Sequence, residues 1–104
     1  ALPNNRRPTT KTKLCYAPFF NVYESGNVCL GNVDVQIART ASLEEFTKAW
    51  EGYFFNSYFS HLMSSYNPVK GNCVSLWKSL LQKEKNFPME VLKESNVKLN
   101  SLLK

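Results

Sequence analysis

Few side chains in this sequence could carry chemistry. His61 is the single histidine, and the cysteines are Cys15, Cys29 and Cys73. A protein zinc site takes three or four clustered ligands, and no CxxC pair or histidine cluster is present to provide them. Glu44 and Glu45 are adjacent carboxylates, but they stand where a helix opens, and the helix dipole accounts for them. With four glycines the chain has neither a phosphate loop nor a GxGxxG turn. No cofactor is implied. What remains is thiol chemistry, since a cysteine can act as a nucleophile without a dedicated histidine base. Each cysteine also has an ordinary reading as packed core, because Cys is among the most buried residue types. Cys73 falls on an apolar helical stripe and Cys15 has no chemical context. Cys29, taken alone, reads as a core strand residue.

The elements that would position these residues follow from the pattern. Residues 1–13 hold Pro3, Pro8 and few apolar side chains, and read as an extended arm. Phe19–Tyr23 and Asn27–Leu30 flank Glu24-Ser25-Gly26, which predicts a β-hairpin. Val33, Val35 and Ile37 alternate with polar residues, as a short third strand or an extended loop would. Ser42-Leu43-Glu44-Glu45 has the form of a capping box and predicts a helix running to about Leu62. A second helix begins at Cys73, with Leu76, Trp77, Leu80 and Leu81 on one face. Pro88 suits the first turn of a third helix, with Leu92, Leu99 and Leu103 on a shared face. The expected architecture is α+β, mostly helical: a hairpin followed by three helices. Residues 50–59 hold six aromatics, Trp50, Tyr53, Phe54, Phe55, Tyr58 and Phe59. Rings on most sides of one helix call for more cover than a hairpin and two helices provide.

The segment FFNVYESGNVCL, Phe19 to Leu30, resembles the active-site signature of ubiquitin-conjugating enzymes. That signature runs His-Pro-Asn, an apolar residue and Tyr, a turn with Gly, then an apolar residue, Cys and Leu. Asn21, Val22, Tyr23, Gly26, Val28, Cys29 and Leu30 match in order, with Asn21 and Cys29 eight positions apart. Phe19 and Phe20 stand where the family has His and Pro. A wider set of motifs is similar to the PRTRC system protein B family: NRRPT, LCYAPFFNVYESGNVCLGN, the aromatic helix ending FSH, SLWKSL and FPMEVL. That bacterial family has a ubiquitin-conjugating-like domain and occurs in cassettes with ParB-related and ThiF-related proteins. The resemblance implies that residues 14–104 are the C-terminal part of such a domain, with its earlier strands upstream of Ala1. It implies Cys29 as the thioester-forming nucleophile and Asn21 as an amide donor for the oxyanion. His61, 32 positions after Cys29, lies near where the family places a polar residue beside the attacking amine, which would make it an accessory catalytic group. Asn21 as a turn residue and His61 as a boundary histidine are the plainer alternatives.

Two functions from different classes follow. In the first, Cys29 accepts a ubiquitin-like protein, or another acyl group, from a ThiF-like adenylating enzyme and passes it to an amine. In the second, the fold is a non-catalytic module that binds partners of the same cassette, a reading favoured by the lost His and Pro. A third, weak DNA binding, rests on the arm alone. Arg6, Arg7, Lys11 and Lys13 supply four of the thirteen basic residues, while the rest of the chain nearly balances nine basic against eight acidic. A charge confined to an arm makes nucleic acid an unfavoured partner. The length of 104 residues, 43% hydrophobic and 20% charged, fits one globular domain. No apolar run is long enough for a membrane helix. Three cysteines are not a disulfide framework, so the chain is expected in the cytoplasm with reduced thiols. The uncovered aromatic surface also leaves a homo-oligomer open.

Overall fold

The capping box forms as the sequence dictates. In the computed structural model, Ser42 Oγ accepts from the Glu45 backbone N–H at 3.2 Å, and the Glu45 carboxylate accepts from the Ser42 N–H at 2.7 Å. Helix α1 then runs Leu43–Phe55. The structure describes every residue except Asn32, Tyr58, Ser60, His61, Ser64 and Lys104. The helix stops short of the expected Leu62. Asn56 donates its N–H to the Gly52 carbonyl as a cap, and the Ser57 hydroxyl donates to the Phe54 carbonyl at 2.6 Å. Short polar side chains that compete for backbone groups in this way favour helix ends. Helix α2, Cys73–Lys83, begins at the expected residue. The Asn72 side chain accepts from the Ser75 N–H at 2.9 Å, and Glu84 closes the helix in the left-handed region.

The regular sheet is not a local hairpin. Strand β1, Lys13–Cys15, pairs antiparallel with β2, Glu94–Lys98. The register slips between Lys13↔Lys98 and Cys15↔Glu94. Ser95 bridges the irregularity, its hydroxyl donating to the Leu14 carbonyl at 2.8 Å and accepting from the Val97 N–H at 3.3 Å. The pairing continues past the strand ends through Tyr16 N–H to Lys93 carbonyl and Leu99 N–H to Thr12 carbonyl.

The long third helix is therefore a correction. After Pro88 the chain makes a 3₁₀ turn at Met89–Val91, then β2, and only then a short helix α3, Leu99–Leu102. Val91, Ser95, Asn96 and Val97 favour extended or turn backbone over helix, and β1 supplies the ladder partner. Residues 33–37 take the extended loop of the two alternatives, not a strand. The Tyr53 phenol accepts from the Gln36 N–H at 3.1 Å and donates to the Gln36 carbonyl at 2.9 Å, standing in for a neighbouring strand.

The core is small. Leu14, Cys15, Val22, Val69, Cys73 and Leu92 are its buried apolar residues, joined by Pro68. An aromatic cluster extends it. Phe19 stacks on Trp77 at 5.7 Å and meets the edges of Phe54 and Phe55, while Trp77 also contacts Phe87. The Trp77 indole N–H is fixed by the Pro18 carbonyl at 2.7 Å. Helix α1 has no buried residue, and Leu43 and Phe55 stay 80% and 69% exposed. Among the described residues no helix is long and apolar enough to cross a membrane.

Candidate functional site: the Asn21–Cys29 turn

The predicted hairpin exists in reduced form. Val22 and Val28 make a single antiparallel bridge. Around it, Tyr23 N–H donates to Asn27 carbonyl at 2.9 Å and Cys29 N–H donates to Asn21 carbonyl at 2.8 Å. Gly26, at φ 90°, takes the left-handed position that closes the turn without a Cβ clash. The Tyr66 hydroxyl donates to the Val22 carbonyl at 3.2 Å and ties this turn to the segment before α2. Burial, with the Glu24 carboxylate adding to it, pushes the Tyr66 phenol up, so it remains a protonated donor.

Asn21 and Cys29 come together as expected, but through the backbone of Cys29. The Asn21 side chain is 6% exposed. Its amide nitrogen donates to the Cys29 carbonyl at 3.2 Å and to Ser57 Oγ at 3.3 Å. A carboxamide has two N–H donors, and both are engaged. Ser57 in turn donates to the Phe54 carbonyl, so a continuous chain of hydrogen bonds links Cys29 to the end of α1. The sequence reading missed Ser57 because it placed this residue inside a longer helix. The polar Asn56-Ser57 pair interrupting the aromatic run is the signal that marks it.

The three cysteines differ in access. Cys15 and Cys73 are buried, and burial pushes both thiols up. Cys29 is half-buried, and its neighbour Val28 is 48% exposed. Beside it an apolar cleft of about 280 Å³ is walled by Val28, Leu30, Trp50, Phe54 and Phe55. A second cavity, about 260 Å³, touches Asn21, Ser57, Phe19 and Phe20. Phe19 takes the place of the expected His and holds the segment by ring packing instead of a polar contact. His61 lies outside the described residues. Among the described residues no group of three His, Cys, Asp or Glu side chains converges on a metal position.

The chain is thus an α+β fold that carries a half-buried cysteine just after a turn anchored by asparagine. The family model for prokaryotic E2 family D matches residues 1–95, and the chain belongs to that family. No curated protein and no solved structure matches the chain.

Proposed function

We propose that the protein carries an acyl group, a ubiquitin-like protein in the PRTRC setting, as a thioester on Cys29. The reading is supported by one observation: Cys29 is the cysteine that is not buried, and it stands on a hydrogen-bonded turn whose sequence resembles the signature of ubiquitin-conjugating enzymes. The Cys29 thiolate attacks the acyl carbonyl of a donor thioester. The new C–S bond forms as the donor C–S bond breaks and the donor departs as a thiolate. An amine then attacks the Cys29 thioester, an amide forms, the Cys29 thiolate leaves and the amine proton passes to solvent. A ThiF-like adenylating enzyme is the donor that the PRTRC resemblance supports, and the cytoplasm is the compartment that suits three free thiols. Asn21 holds the backbone of Cys29; to reach an oxyanion it must release Ser57 or the Cys29 carbonyl.

The non-catalytic reading is favoured by a specific observation, the full engagement of the Asn21 amide together with Phe19 and Phe20 in place of His and Pro. The two readings part on one experiment. The purified chain is incubated with a peptide thioester ending in Gly-Gly, and adducts are mapped by mass spectrometry. A thiol-labile adduct on Cys29 that disappears in Cys29→Ala is the expected result. Acylation spread evenly over the three cysteines, or absent from Cys29, overturns the carrier reading and leaves the binding module.

A further inference from the structure

A separate cavity lies away from Cys29, and its lining is of a different chemical kind. It measures about 820 Å³ and is walled in part by Phe19, Trp77 and Phe87. Residues of the N-terminal segment complete it, Arg6 and Arg7 among them. This segment returns to the body of the fold: the Cys15 N–H donates to the Ala1 carbonyl at 2.8 Å, and an Asn4 side chain caps the Arg6 N–H at 3.0 Å. No Asp or Glu lines the cavity. The one ion pair among the described residues joins Lys13 to Glu94 and involves neither Arg6 nor Arg7.

We propose that this cavity binds a nucleoside phosphate. The volume falls within the ~300–1,000 Å³ typical of small-molecule sites. Aromatic walls suit a flat heterocyclic base, because ring stacking tolerates any base and needs no matched donor. Arg6 and Arg7 each carry a guanidinium, a planar fork that fits phosphate oxygens in pairs. Their summed charge also matches a phosphate monoester, which carries about −1.5 to −2 at neutral pH, better than a single carboxylate. The inference does not depend on Cys29 being acylated.

The test uses the full chain with Trp50→Phe, which leaves Trp77 as the only tryptophan. AMP, adenosine and inorganic phosphate are titrated in turn while Trp77 fluorescence is followed. AMP is expected to give a saturable change, with adenosine and inorganic phosphate each weaker by roughly tenfold or more, since each lacks one half of the recognition. The double variant Arg6→Ala, Arg7→Ala is expected to weaken AMP by a similar factor with an unchanged circular dichroism spectrum. A lack of saturation at millimolar AMP overturns the proposal. So does adenosine or inorganic phosphate binding as tightly as AMP, or an Arg variant that binds AMP like the parent.

Discussion

Replacing Asn21 with alanine separates a framework role for its amide from a purely chemical one. The side chain is 6% exposed and makes two hydrogen bonds, to the Cys29 carbonyl at 3.2 Å and to Ser57 Oγ at 3.3 Å. A hydrogen bond of this kind contributes about 1 kcal/mol net, and a buried acceptor left without a partner costs ~1–3 kcal/mol. Ser57 keeps its bond to Phe54, so the loss falls on the Cys29 carbonyl. Asn21→Ala is therefore expected to lower stability by about 2–3 kcal/mol. Near ~4–8 °C per kcal/mol for a domain of this size, the melting temperature should fall by roughly 8 °C or more. Urea unfolding with an unchanged slope would show that native stability was altered and not the unfolded state. Alkylation of Cys29 by limiting iodoacetamide should accelerate as the turn loosens. A variant within ~0.5 kcal/mol of the parent, with unchanged Cys29 labelling, would refute the claim that Asn21 holds this turn.

Ser42→Ala removes the side-chain half of the capping box and should cost about 1 kcal/mol, read as a loss of helical circular dichroism and a lower urea midpoint; no change would mean that α1 is held by other contacts. Phe19→Ala deletes a ring touching Trp77, Phe54 and Phe55, and should cost up to ~3 kcal/mol because the ring is only half-buried, whereas Phe19→His should recover part of the loss. Trp fluorescence and thermal melts check both, and equal stability of Ala and His variants argues against ring packing. The Cys73 thiol is raised by burial above its usual 9.0, so the unfolded state loses that proton first as pH rises. Its contribution is fully present below that value and is lost as pH climbs through it toward the folded-state value. Cys73→Ala should accordingly show a flatter alkaline decline in melting temperature, and parallel curves would remove Cys73 from the account.

Local signals in the sequence carried far. Ser42 and Glu45 mark the start of α1 and the stripe from Cys73 to Leu81 marks α2, because caps and helical periodicity are encoded within a few residues. Gly26 marks the turn for the same reason. The end of α1 was obscured by aromatics that keep helical spacing through Tyr58, while the break depends on the hydroxyl of Ser57 reaching back to Phe54. Strand β2 was hidden more deeply. In Glu94–Lys98 the only apolar residue is Val97, so no alternation announces a strand. The Asn21–Ser57 contact joins residues 36 positions apart, a distance at which spacing carries no information. The cysteine and its turn were legible as a motif; the engagement of both Asn21 donors was not.

The pairing of β1 with β2 bears on how the chain acquires its shape. Ser95 and Leu14, joined by a hydrogen bond, are 81 positions apart. Closing a loop of that length costs about 4 kcal/mol in chain entropy before any contact within the sheet offsets it. Helices α1 and α2 and the turn at Gly26 need only neighbouring residues and can form on much shorter timescales. The sheet is thus the late, slow step of folding, and its closing strand lies near the C-terminal end of the sequence. During synthesis the residues between Leu14 and Ser95 must all emerge before β1 meets its partner, so the edge of β1 that β2 covers stays open until then. A folding rate set by this high-order contact, slow for a chain of this length, is the kinetic signature the topology imposes.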